Sequence, residues 1–251
     1  MIPTVETSED WFLTNRLLVR QPQKGFRAGG DSLLLSAAVP ALAGERVLEL
    51  GSGVGVVSLA LASRVAGLHL QLVEVDRDTA ALARHNIAAN HQAGRLSLGQ
   101  TNVLTGDAHS TDLFKQGTFF DHCYCNPPYF DPSATRHSDH HLADLARRTP
   151  MPLSAWVKSM VRWTKSGGTM TMICRAQSSI EVLSAFERSA GGIELVPLYP
   201  KPDEPAVNVI IRGVKDSRAA FRLRQGLTIR DGGGKLAPEV EQIQRFGNFV
   251  I

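Results

Sequence analysis

The chain has 251 residues, 43% of them hydrophobic and 20% charged, with a formal net charge of +3. That length suits one large α/β core and that charge is too small to argue for nucleic acid by itself. No run approaches the roughly 18 uninterrupted apolar residues of a membrane helix. The opening Met1-Ile2-Pro3-Thr4-Val5-Glu6 has no basic-then-apolar leader, and Cys123, Cys125 and Cys174 form no C-x-x-C pair, so a cytosolic protein with buried thiols is expected.

Residues 1–42 precede the first core strand and end in an apolar run, Leu33 to Val39, that Asp31 or Ser32 is placed to cap as a helix. From Arg46 short apolar runs alternate with helical patterns, the mark of β-α-β units and a mostly parallel sheet with helices on both faces. Seven strands are predicted: Arg46 to Leu50, Leu68 to Val75, Leu96 to Asn102, Phe120 to Cys125, Thr169 to Arg175, Ile193 to Pro197 and Val207 to Arg212. Helices are predicted over Val56 to Ala66 and Thr79 to Asn90. A third carries Leu153, Trp156, Val157, Met160 and Val161 on its apolar face and Lys158, Arg162 and Lys165 on its outer side. Gly167-Gly168 is expected to end that helix, as a left-handed C-terminal glycine would.

The catalytic core is taken as residues 43–213 and a basic extension as 214–251, one domain in all. Around that boundary Arg212, Lys215, Arg218, Arg222 and Arg224 stand with Asp216 as the one acid among them. The run suits either a phosphate backbone or a solvated charged edge. Beyond it, Leu227 to Leu236 reads as a glycine-turned hairpin or a flexible tip.

Glu49-Leu50-Gly51-Ser52-Gly53-Val54-Gly55 puts three alternate glycines between a strand and a helix, where a ligand presses on bare backbone. The dinucleotide fingerprint G-x-G-x-x-G would need its third glycine at Val56 or Ser58, so a nicotinamide cofactor is disfavoured. Glu74, at the end of the second predicted strand, stands where a carboxylate accepts from ribose hydroxyls, with Asp76 as a possible substitute.

Asp121-His122-Cys123-Tyr124-Cys125-Asn126-Pro127-Pro128-Tyr129 runs an apolar strand into two prolines at its carboxyl end, where parallel sheets carry their active sites. His137, Asp139, His140, His141 and Asp144 follow. No strand or helix periodicity holds them together, so a substrate loop is favoured over a metal site.

The glycine loop resembles the E/D-x-G-x-G-x-G motif of S-adenosylmethionine methyltransferases, and Asn126 to Tyr129 the Asn-Pro-Pro-Tyr signature of those that methylate planar amines. Together with Gln21-Pro22, Gly25 to Asp31, Leu33 to Leu35 and Pro197-Leu198, these motifs resemble the bacterial tRNA(Val) adenine-37 N6-methyltransferase family over most of the chain. The resemblance implies a Rossmann-like class I fold, S-adenosyl-L-methionine as cofactor and tRNA as partner. It implies cofactor contacts at Gly51, Gly53, Gly55 and Glu74, with Glu49 near the methionine ammonium and Asp107 at the adenine amine. Arg27 and Asp31 would stand near the methionine end.

The target amine has its lone pair delocalised into the base. Acceptors at the Asn126 side chain and the Pro127 carbonyl would localise it, while Tyr129 stacks on the ring and Phe130 is a weaker second platform. Release-factor glutamine methyltransferases share the signature but normally carry a helical domain ahead of the glycine loop. Ribosomal RNA guanine-N2 methyltransferases and small-molecule O-methyltransferases share the core fold. A non-catalytic binding module would be expected to lose Asn126 or Gly53, and both are present.

Overall fold

The computed structural model describes residues 6–25, 27–92, 94–100, 119–128 and 151–247. Asp107, Tyr129, Phe130 and the cluster from His137 to Asp144 lie outside the described residues.

The N-terminal segment forms an antiparallel hairpin, β1 (Thr7–Phe12) and β2 (Leu17–Pro22), separate from the main sheet. Its turn holds Leu13, Thr14 and Asn15 at φ 51°, 57° and 60°, a conformation uncommon for residues with a Cβ. Burial of Leu13 in the core anchors it. The Thr14 hydroxyl and the Arg16 guanidinium both donate to the Arg245 carbonyl near the C-terminus.

The chain then follows α1 (Gly30–Ala38), β3 (Arg46–Leu50), α2 (Val56–Arg64), β4 (His69–Glu74), α3 (Arg77–Ala89), β5 (Leu96–Gln100) and β6 (Phe120–Cys125). After residue 150 come α4 (Leu153–Trp163), β7 (Thr164–Arg175), α5 (Ser179–Glu187), β8 (Ala190–Tyr199) and β9 (Asn208–Lys215). Two short strands, β10 (Arg222–Leu223) and β11 (Leu227–Thr228), and α6 (Pro238–Phe246) complete it.

One sheet runs β10-β8-β9-β7-β6-β3-β4-β5, with β11 also paired to β8. Strands β3 to β7 pair in parallel and β9 runs antiparallel between β7 and β8. The seven expected strands are all present, and the sheet gains β10 and β11. Alternate residues feed two cores, as a pleat requires. Val47, Tyr124, Ile173 and Ile210 face α1, α2 and α6, whereas Leu48, Cys123, Met172 and Ile211 face α4 and α5. All three cysteines are buried free thiols.

Two expectations are corrected. Neither Asp31 nor Ser32 caps α1: Gly29 is its N-cap, without a side-chain bond, and Asp31 sits in the first turn where its carboxylate accepts from Asn208 Nδ2 at 2.8 Å. Gly167-Gly168 does not end α4. Thr164 ends it by turning extended and donating its hydroxyl to the Met160 carbonyl, and the two glycines lie inside β7 at a bulge against β6. Gly167 has φ +76°, and a Cβ at Gly168 would meet the Asp121 carbonyl at 2.6 Å. Of the hairpin expected over Leu227 to Leu236, the glycine turn is present, Asp231 to Lys235 being closed by the antiparallel Arg230–Leu236 bridge, while Leu227-Thr228 pairs in parallel with β8.

Candidate cofactor and acceptor site

The carboxyl ends of β3, β4 and β6 lie side by side. Register pairs Leu50 with Cys125 and with Val73, so the glycine loop and the turn Asn126-Pro127-Pro128 leave neighbouring strands. Strands in one sheet are about 4.8 Å apart, which brings the two motifs within reach of one ligand pair.

Gly51, Gly53 and Gly55 have φ of 66°, 55° and 87°. A side chain at any of them would strain the loop. A Cβ on Gly53 would meet nothing within 4 Å, whereas one on Gly51 would strike the Trp156 ring at 2.8 Å. The middle glycine therefore presents bare backbone to open space, and Trp156 of α4 closes the loop from behind. The apolar stripe of α4 placed Trp156 in the core, so periodicity alone gave no sign of this contact.

Glu74, 9% exposed, accepts from the Gly53 N–H at 2.8 Å through one oxygen. Its other oxygen accepts from the Val75 and Asp76 N–H groups, both at 2.9 Å. Burial raises its pKa, opposed by these backbone bonds. Asp76 instead caps α3, its Oδ1 accepting from the Thr79 N–H at 2.8 Å. Such a cap stabilises by about 1 kcal/mol.

Glu49, the residue before Leu50 in β3, is 2% exposed. Its carboxyl accepts from Ser58 Oγ at 2.5 Å and from the Tyr124 hydroxyl at 3.4 Å, and those two hydroxyls are 2.6 Å apart. Burial pushes its pKa up to about 8, so the group is largely protonated at neutral pH.

Asn126 is half-buried, Pro127 buried and Pro128 exposed. Asp31 lies further along the same rim, against Asn208 at the start of β9, which pairs with Arg175 at the carboxyl end of β7. Asn208, which the sequence pattern did not single out, bridges the Asp31 carboxylate to the Arg175 guanidinium, accepting from Arg175 at 3.3 Å. Desolvation raises the Asp31 pKa, opposed by Arg175 and Asn208. Arg27 faces the hairpin: it donates to Ser8 Oγ at 2.8 Å and the Pro22 carbonyl at 2.7 Å, and pairs with Asp10 at 2.5 Å.

The basic run divides. Arg212 pairs with Glu194 and donates to the Ala38 carbonyl, and Lys215 donates to the carbonyls of Val161 and Thr164, so these two brace the fold. Arg222 and Arg224, with side chains 68% and 50% exposed, stand 3.9 and 3.6 Å from the same Glu194 carboxylate. Arg218 is exposed.

Residues 28–149 match the methyltransferase small domain. Over 107 residues the chain is 34% identical to a tRNA1(Val) (adenine(37)-N6)-methyltransferase of Shewanella baltica strain OS155, covering 43% of each protein. The chain thus matches less than half the length of that relative. A solved structure of a predicted O-methyltransferase from Agrobacterium tumefaciens superimposes with a TM-score of 0.69 at 24% identity, over 86% of this chain and 96% of that one. An S-adenosylmethionine-dependent O-methyltransferase from Thermotoga maritima gives 0.55 at 16% identity, over 78% and 68%. No helix among the described residues is long and apolar enough to cross a membrane. The fold is that of the class I S-adenosylmethionine methyltransferases, and with the domain match and the relatives it supports an S-adenosylmethionine-dependent methyltransferase whose expected cofactor is S-adenosyl-L-methionine.

Proposed function

We propose that this protein methylates the N6 amine of an adenine in tRNA, adenine 37 of tRNA(Val) by likeness to the relative that bears that name. The observation that carries the reading is Asn126-Pro127 at the carboxyl end of β6, one strand from the glycine loop. Two acceptors placed beside a cofactor cradle suit a planar amine better than a hydroxyl or a thiol.

The cradle fits S-adenosylmethionine. Its backbone is bare at Gly53, and the three N–H bonds to Glu74 take up three of a carboxylate's about four acceptor positions. One position is left for a ribose hydroxyl. Asp76, engaged as a helix cap, is the weaker candidate. Bound there, the cofactor supplies an electrophilic methyl group on a sulfonium centre.

The chain's own residues do the rest. Asn126 Oδ1 and the Pro127 carbonyl accept from the two amine hydrogens and localise the nitrogen lone pair toward the methyl group. Pro128 has no N–H and stiffens the turn, so the acceptors keep their aim. Tyr129 stacks on the everted base, an interaction of about 1–3 kcal/mol.

Glu49 ties β3 to Ser58 of α2 and Tyr124 of β6, and a methionine ammonium near it would favour its ionised form. Of the pair assigned to the methionine end, Asp31 is the retained candidate, because Arg27 braces the hairpin. Asp107 is kept for the adenine amine on the resemblance alone. The exposed arginines at β10 lie four strand spacings from β6, about 19 Å, a distance that an RNA stem-loop bridges.

The experiment is transfer of labelled methyl groups to bulk tRNA from cells lacking the enzyme. Labelled tRNA with the wild type and none with Asn126→Ala is the expected result. Labelling of a release factor in place of tRNA would overturn the reading.

A further inference from the structure

The glycine loop is tied to a neighbour far from it in sequence. The Val54 carbonyl accepts from the side-chain amide of Asn86 at 3.0 Å. Asn86 lies on α3 and is fully buried. Its amide also donates to the Arg20 carbonyl at 3.0 Å, and its Oδ1 accepts from the Arg20 N–H at 2.8 Å. Both amide hydrogens and the oxygen are therefore used, and the side chain meets β2 as an adjacent strand would.

One helical turn later Asn90 repeats the pattern on Leu18, accepting from its N–H at 3.1 Å and donating to its carbonyl at 2.7 Å. Leu18 and Arg20 are alternate residues of β2, so their backbone groups point to the same edge. The opposite edge of β2 pairs with β1. Two asparagines at i and i+4 thus dock the hairpin on α3, and of the two only Asn86 carries the contact on to the loop.

The hairpin also reaches the segment leading into α1. Gln21 accepts from the Ala28 N–H at 2.9 Å and donates to Asp10 at 3.0 Å, while Arg27 is held by Ser8, Asp10 and Pro22. This hairpin lies ahead of the matched domain, which starts at residue 28.

We propose that the N-terminal hairpin is a working part of the cofactor site, and that Asn86 is a positioning residue through which β2 holds Val54 and the glycine loop ready for the cofactor. The reading of that loop as an S-adenosylmethionine cradle underlies this. A loop with three left-handed glycines is intrinsically mobile. An anchor that orders it beforehand removes part of the entropy loss on binding, so affinity rises without any new contact to the ligand.

The test compares full-length wild type, Asn86→Ala and Asn90→Ala by calorimetric titration with S-adenosylmethionine, thermal melting, and hydrogen exchange of residues 51–58 in cofactor-free protein. Each substitution removes one clamp on β2, so both are expected to lower the melting temperature. Asn86→Ala alone is expected to weaken cofactor binding about tenfold and to speed exchange in the loop. Asn90→Ala is expected to stay within about twofold of wild type in affinity.

Equal affinities in all three proteins, or equal losses in both variants, would overturn the proposal. If Asn86→Ala does not fold, Arg20→Pro carries the test. It removes the N–H that donates to Asn86, on the edge of β2 facing away from β1. A loss of about threefold is expected, and an unchanged affinity would again overturn the proposal. Failure of the wild type to bind S-adenosylmethionine would instead sink the cofactor reading itself.

Discussion

At the ends of β3 and β4, two carboxyl groups are held by backbone N–H groups and hydroxyls. At the outer edge of the sheet, one carboxylate, Glu194, faces Arg212, Arg222 and Arg224. The first region fixes its polar groups in low dielectric, where misplacing one is costly. The second leaves two of its cations long in reach and exposed, where pairing contributes little. Anchored acids suit one small ligand held in one pose, and loosely paired cations suit a polyanion that can settle in several.

The contrast is testable by substitution. Asn126→Ala is expected to lower the methyl-transfer rate constant by about 10²- to 10³-fold while cofactor affinity holds, as for other lost transition-state donors or acceptors. Single-turnover kinetics beside cofactor titration reads both. Next comes Glu74→Ala, for which a loss of about ten- to a hundredfold in S-adenosylmethionine affinity is expected with little change in tRNA binding.

At the other region the pattern should reverse. Arg222→Ala with Arg224→Ala is expected to weaken tRNA binding roughly tenfold and to reduce the slope of log K against log salt by about 1 to 2, leaving cofactor affinity unchanged. An unaltered slope would make the edge an ordinary solvated surface.

The smallest effect concerns pH. Glu49 has its folded pKa raised from 4.5 to about 8, so the folded chain binds the extra proton between those values. Its contribution to stability is then full below about pH 4.5 and lost as pH rises through about 8. Melting temperatures of wild type and Glu49→Gln, compared from about pH 5 to about pH 8.5, are expected to diverge by a few degrees, the wild type falling more. Parallel curves would show that the carboxyl is ionised in the fold.

Much of this was legible in the sequence, because the strongest signals are local. β3 and β6 begin and end at the expected residues, since their apolar runs stop at Gly51 and at Asn126-Pro127. Gly51, Gly53 and Gly55 stand between a strand and a helix as expected, and all three have positive φ. What stayed hidden depends on partners distant in the chain. The strand Thr7–Phe12 carries mostly polar residues and is partly exposed on both faces, so alternation gave no sign of β1. Arg212 and Lys215 look like the other cations of their run until Glu194 and the ends of α1 and α4 are seen to bind them. Nothing local marks Asn86 and Asn90 within their helix, yet one is fully buried and both dock a strand.

The central claim is an adenine N6 acceptor served by Asn126 beside the glycine loop. Nucleoside mass spectrometry of tRNA, after incubation with the purified protein and methyl-labelled S-adenosylmethionine, tests it most directly. The expected result is label in N6-methyladenosine, absent with Asn126→Ala. Label in a methylated guanosine, or none in tRNA while a protein glutamine is methylated, would contradict it.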